Sequence, residues 1–513
     1  MVMLTRVSRE VKPGTGRRFD RSRIKALIGI SIIVGCLATM FYVFSRPSRN
    51  EIGPEHDFVT IIAGAHCAID RCDPYDSPTL EREFPKMGGY IPPLHFKPEW
   101  PVYPPSTLFV LLPLSLLNWP ALSVVWMLLC FGFLCAAFVV LLLRFKAYRD
   151  VLSFLPLGIL LADPAIGQAV QLGQPTLLAG SALTLAIIAL ESGSMAVTGG
   201  LLLALSLCLK PQGAFFCGIY FLLRSRTRIP ALAAYVFTAG AGLGGILLFY
   251  YRLSSLAYLG HLSSNLKLAF QPGRDADFSP LNEYSPSFLN LQAFLARLVA
   301  NPQVCNALTY AVCLVIAGLL VFVCWRKKNL SARPFTILAV LVMLELLVSY
   351  HRFYDHIFML AALPGLYEIK QRGKSGYLLS VGALFVYLFR QFHDLKIHGL
   401  GPFPSGAPVE LFIALVCLHS LWSDDSQAPS HKTDSSPRID VAHPGPVAAH
   451  ERVAGERDPD SILAPIDQVP LVGLERIVPG KLPSGEGARS GVAKNQTLVG
   501  LGRLSRLQVE PVV

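Results

Sequence analysis

Polar side chains with catalytic potential fall in two places far apart in this chain. Asp57 lies in EHDFVTIIAGAHCAIDRCDPYDS, ahead of an apolar helical stretch that the DPYD turn at 73–76 closes. A carboxylate at such a boundary either caps a helix or serves as general base for an acceptor hydroxyl. SYHRFYDHIFML, 349–360, packs His351, Arg352, Tyr354, Asp355 and His356 between two apolar runs. Arg and His suit a phosphate leaving group, through charge-assisted hydrogen bonds and neutralisation of developing charge; the plainer reading is a solvated turn holding an Arg–Asp ion pair. Glu345, just upstream, is expected to pair with a nearby cation. Lys210 interrupts LSLCLKPQGAFF, where Pro211 should kink the helix. Such a lysine snorkels to an interface or faces a phosphate. PVYPP, 101–105, sets an extended approach to an apolar run. DPAIGQAVQLGQPT, 163–176, permits a polar cavity wall, since non-helical backbone at membrane depth must be buried in protein or line a cavity. No Walker, Rossmann, zinc-ligand or nucleophile-elbow pattern occurs.

The elements that position these residues are read from composition. With 52% hydrophobic and 15% charged residues and a mean hydropathy of +0.48, the chain is too apolar for a soluble domain of 513 residues. A span needs roughly 20 apolar residues, and long uncharged runs recur at 25–44, 121–143, 174–190, 229–250 and 304–325. Further runs at 106–118, 152–162, 196–223, 334–350, 357–369, 376–390 and 406–422 predict about twelve helices, the first two of these short enough to be broken, tilted or re-entrant. A basic leader, 1–24, precedes a first span without a small-residue cleavage site, which reads as a retained anchor. The net charge of +11 gathers beside helix ends, at Arg224, Arg226 and Arg228, at Arg326, Lys327, Lys328 and Arg333, and at Lys370, Arg372 and Lys374. That is positive-inside topology rather than a nucleic-acid surface. Alternating through the spans puts all three clusters on the cytoplasmic side; RFKAYRD, 144–150, alone lands outside. External loops are expected at 45–105 and 251–303, a membrane domain over 25–422 and a disordered cytoplasmic tail over 423–513. Most cysteines behave as small hydrophobes within spans. Cys67 and Cys72 fall in the first external loop, where a disulfide and two free thiols are both open readings.

The order of these features resembles glycosyltransferase family 87, membrane transferases of the GT-C fold that include polyprenyl-phosphate-mannose-dependent mannosyltransferases. The likeness rests on Asp57 followed by Pro74, Tyr75 and Asp76, on Tyr103, Pro104 and Pro105, and on Gly173 and Gln174. It continues with Lys210 and Pro211, with Asn282, Ser285, Ser287 and Asn290, and with Ser349 and His356, so that it runs from about residue 25 to about 420. Thr176 stands where the family commonly has Asn, Lys210 and Pro211 are adjacent rather than separated, and HRFYDH carries more charge than the family's turn. The resemblance implies an all-α transmembrane bundle of GT-C type in a bacterial plasma membrane, its active site extracytoplasmic and both termini cytoplasmic. It implies transfer of a mannose-like hexose from a polyprenyl-phosphate sugar to a hydroxyl of a lipid or glycan acceptor. Asp57 would be the base; Lys210, His351, Arg352 and His356 would bind the donor phosphate. Tyr75, Tyr103, Gln174, Asn282 and Ser287 would bind acceptor and sugar, with no metal, cofactor or nucleic acid expected. The competing classes are a transporter, which would show repeat symmetry between two halves, and a non-catalytic glycan-assembly or ligase protein.

Overall fold

The computed structural model describes residue 31 and residues 56–89, 101–147, 150–282, 284–327, 333–392, 396–397, 401–402 and 406–423. The basic leader, nearly all of the expected first span and the tail beyond 423 lie outside the described residues. The chain divides into two units, Met1–Thr433 and Asp434–Val513, and every described residue belongs to the first.

The all-α expectation holds. Helices α1 (His56–Asp70) and α2 (Ser77–Lys86) form a hairpin that the Cys67–Cys72 disulfide ties at its turn. Pro104 is an extended N-cap and Pro105 occupies the first turn of α3 (Pro105–Leu111), where its missing N–H costs nothing. Beyond a 3-10 turn at Leu114–Leu116 the chain comes back to its starting level. There Trp119, opening α4 (Trp119–Arg144), donates its N–H to the Met87 carbonyl (2.7 Å) and meets Phe84 edge to face at 4.6 Å. The apolar run at 106–118 therefore begins and ends beside the α1–α2 hairpin and is not one through-going helix.

From Arg144 the path back is a broken helix: a 3-10 turn Val151–Phe154, then α5 (Leu155–Leu161) and α6 (Pro164–Gln171), interrupted at Asp163. Gly173, at φ 62, makes the left-handed turn that glycine adopts without penalty, and α7 (Thr176–Ser192) returns. A hairpin of two half-helices follows. Helix α8 (Ala196–Leu209) starts close to Glu191, and α9 (Phe215–Leu223) ends at Arg224, which pairs with Glu191. The run at 196–223, read as one span, is thus two half-helices meeting at Lys210, whose backbone leaves the helix at φ −153. Pro211 breaks the helix rather than kinking it. The freed Cys208 carbonyl accepts from Thr107 Oγ1 (2.8 Å) and Ser106 Oγ (3.3 Å), so protein hydroxyls supply what water cannot at that depth.

Helix α10 (Arg228–Leu253) closes against α3 at Gly245, where a Cβ would stand 2.5 Å from the Pro105 carbonyl oxygen. Helix α11 (Ala257–Ala269), a loop and the short α12 (Leu291–Leu295) lead to α13 (Pro302–Arg326), α14 (Pro334–Val348), α15 (Met359–Arg372), α16 (Lys374–Phe392) and α17 (Gly406–Ser423). A two-residue antiparallel ladder, β1 (Lys396–Ile397) with β2 (Gly401–Pro402), lies between the last two helices. Among the described residues, four helices, α4, α10, α13 and α17, are long and apolar enough to cross a membrane.

The ends of this bundle differ in chemistry. Arg144, Arg224, Arg226, Phe335 and Glu368 line a cleft at one end. The 15 residues of α14 rise from there by about 22 Å to Tyr350 at the other. RFKAYRD, expected on the side opposite the remaining basic clusters, joins them, because Arg144 shares a cleft with Arg224 and Arg226. The physical reason is that 106–118, counted from sequence as a span, begins and ends beside the α1–α2 hairpin and so does not carry the chain from one end of the bundle to the other.

Candidate functional site

A cavity of about 330 Å³ lies at the end away from the basic clusters, lined by Asp57, Tyr103, Lys210 and Arg352 together with Thr60, Gln212, Asp275, Tyr350, Tyr354 and Asp355. Val102, Leu266, Ala269 and Phe270 give it an apolar side. The carboxylate in the first turn of α1 and the cationic turn before α15 thus meet in one pocket. Asp57 sits in the first turn of α1, where a helix favours negative charge, and is only 7% exposed. Its level is fixed by Phe58, whose N–H donates to the Leu172 carbonyl (3.2 Å) and whose ring stacks on Trp126 at 4.3 Å. Trp126 in turn donates to the Gly173 carbonyl (2.9 Å). The glycine turn therefore sets the height of the helix that carries Asp57.

Lys210 reaches the cavity because the helix breaks beneath it. Its ammonium bonds to Asp355 Oδ1 and to Thr176 Oγ1 (2.8 Å), and lies 5.2 Å above the Tyr354 ring. Thr176 also donates to Asp355 Oδ1 (2.8 Å), while Asp355 Oδ2 is 3.1 Å from His351 Nδ1. Burial pushes the Asp355 carboxyl up, but Lys210 and His351 more than reverse this and hold it well below the usual carboxylate range. The expected Arg–Asp pair within the turn is not the one formed, and the turn is buried rather than solvated. Thr176, the departure from the family's Asn, is the residue that joins the lysine to the carboxylate.

Arg352 approaches from the opposite strand of the turn. Its Nε donates to Tyr350 Oη (2.7 Å), and Nη2 stands 3.9 Å from Asp275 Oδ1. An antiparallel bridge to Phe288, and a bond from Leu289 N–H to the His351 carbonyl (3.0 Å), pin the backbone here.

Other expected site residues stand behind the wall or away from it. Tyr75 is buried and donates to the Tyr103 carbonyl (2.9 Å); Tyr103 donates to Gln174 Oε1 (3.3 Å), whose Nε2 has no hydrogen-bond partner among the described residues. His351 and His356 do not line the cavity. His351 spans Asp355 and Ser349 Oγ (2.7 Å), and His356 bonds Asp163 at the helix break (2.6 Å). Asn282 and Ser287 bond within their own loop, to the Asp277 and Tyr284 carbonyls. Among the described residues Glu345 meets no cation; its carboxylate accepts from the Phe215 (2.7 Å) and Phe216 (3.2 Å) amides and so caps α9. Asp275 and Tyr350 were not anticipated from sequence: Asp275 carries no motif, Tyr350 stands within the 349–360 stretch but was not singled out there, and only the fold brings their loops together. Away from the cavity, His66, Asp70 and Glu83 bring ligand atoms within 4.8 Å of one another, with Lys86 donating to Asp70 (2.8 Å) and Glu83 (2.6 Å) as counter-charge.

Residues 101–349 match the model of glycosyltransferase family 87, which indicates a membrane glycosyltransferase and supports the resemblance over that stretch; Asp57, Arg352 and His356 lie outside it. No curated protein and no solved structure matches the chain.

Proposed function

We propose that the protein transfers a mannose-like hexose from a polyprenyl-phosphate sugar to a hydroxyl of a lipid or glycan acceptor on the extracytoplasmic face of a bacterial plasma membrane. The observation that carries this is the single cavity lined by Asp57, Tyr103, Lys210 and Arg352, drawn from four distant stretches of a family 87 chain. The acceptor oxygen attacks the anomeric carbon as the bond from that carbon to the phosphate oxygen breaks. Asp57 takes the acceptor proton, and the polyprenyl phosphate leaves with the bonding electrons, its charge met by Lys210 and Arg352. One displacement with one base inverts the anomeric configuration. His351 and His356 act in this reading through Asp355 and Asp163 rather than by touching the phosphate. The apolar side of the cavity, Leu266, Ala269 and Phe270, suits the first isoprene units.

Sidedness is supported by two features. The Cys67–Cys72 disulfide lies on the hairpin that carries Asp57, and such bonds persist in oxidising compartments. The basic clusters gather at the other end of the bundle. The test is Asp57→Asn in membranes supplied with radiolabelled polyprenyl-phosphate mannose. Transfer should fall by about 10²- to 10⁴-fold, the usual contribution of a general base, with the melting temperature kept. Wild-type transfer by the variant would remove Asp57 from the mechanism, and uptake of sugar without covalent product would favour transport.

A further inference from the structure

Resting on the reading of Arg352 as a donor-phosphate ligand, we propose that Tyr350 is a positioning residue that fixes the Arg352 guanidinium at the cavity wall and ties it to the outer loop carrying Asp275. The phenol oxygen accepts from Arg352 Nε (2.7 Å) and donates to the backbone carbonyl of Asp275 (2.9 Å). One hydroxyl thus joins a phosphate ligand to a segment that lies 75 residues earlier in the chain. With Nε engaged, a phosphate meets the guanidinium through its terminal amino groups, the fork that suits two phosphate oxygens at once.

Three further observations make the hydroxyl separable from the ring. The ring is set by edge-to-face contacts with Phe288 (5.1 Å) and Phe270 (6.0 Å), which do not involve the oxygen. The backbone beside it is held independently, by the Phe288–Arg352 bridge and the Leu289 amide. Burial raises the phenol to about 12, so it stays protonated at neutral pH and can accept and donate together. Without the hydroxyl, Arg352 keeps its place in the chain and its approach to Asp275 but loses the hydrogen bond at Nε, and the guanidinium is held less tightly in one rotamer.

Tyr350→Phe is the clean test, in the full chain purified in detergent, with polyprenyl phosphate as the binding probe and polyprenyl-phosphate mannose for kinetics. Binding should weaken by about threefold to tenfold, the size of one net hydrogen bond, and KM for the donor should rise with kcat changed less. Arg352→Gln should weaken binding at least as much. The double variant should then bind no worse than Arg352→Gln alone, because a residue acting through Arg352 has nothing left to act on. Unchanged binding by Tyr350→Phe beside a defective Arg352→Gln, or losses that simply add in the double variant, would overturn the role given to Tyr350 and leave the phosphate reading intact. Normal binding by Arg352→Gln would overturn the phosphate reading, and this inference with it.

Discussion

The Asp355 carboxylate is the most heavily engaged group at the cavity, holding Lys210, Thr176 and His351 at once. Removing it strands buried positive charge, so Asp355→Asn should destabilise the protein by about 3–5 kcal/mol, the range for breaking one side of a buried pair, read as a lowered melting temperature in detergent. Its depressed folded-state value also fixes the sign of an acid effect. Stability from this group is fully present above the unfolded carboxylate value of about 3.9 and is lost as pH falls through the lower folded value. The wild-type protein should therefore show no Asp355-dependent change between about pH 5 and 8, with the loss confined to stronger acid, and Asp355→Asn should flatten that acid limb. At this scale the sequence was readable where a charge interrupts apolar surroundings, as at Asp57, Lys210 and Arg352. It was silent on Tyr350 and Asp275, whose significance comes from a partner in another loop, and it misassigned the partner of Asp355 because nearness in sequence favoured Arg352.

Broken helices, rather than whole ones, build the cavity floor. Lys210 stands at a break between two half-helices, Asp163 at another, and Glu345 caps the half-helix α9. Each break leaves carbonyls or amides to be satisfied, and Thr107 does this for Cys208. Thr107→Val keeps shape while removing the shorter of the two donors, and should cost about 0.5–1.5 kcal/mol, the net worth of one hydrogen bond, because Ser106 still donates to the carbonyl; Thr107→Ser should restore most of it, both read by thermal melting. Pro211 beside an intramembrane lysine announced an interruption. The reversal of direction there was not legible, since an apolar run of 28 residues (196–223) looks alike whether it crosses once or turns back. The short run at 106–118 was more telling, because its length alone argued against a full crossing.

Over the whole molecule, charge divides the two ends. Helices α4, α7, α9 and α15 end at the cleft lined by Arg144, Arg224 and Arg226, and cations at helix C-termini offset the partial negative charge there. That accounts for the basic cleft without a ligand and matches the asymmetry read from sequence except at the RFKAYRD stretch, which the sequence put at the other end. Cysteine placed at Asp275 should react with a membrane-impermeant maleimide on intact cells, whereas cysteine at Arg226 should react only after permeabilisation. The reverse pattern would end the extracytoplasmic reading.

Ser106 and Thr107, in the first turn of α3, hold the Cys208 carbonyl just before the helix break at Lys210. In the proposed topology this junction ties a stretch entered from the cavity end to one entered from the basic end, so it bears the strain when the lipid sheet is thinner or thicker than the bundle. Turnover in vesicles should consequently peak at one acyl-chain length and fall for thinner or thicker bilayers, making the junction a gauge of its surroundings.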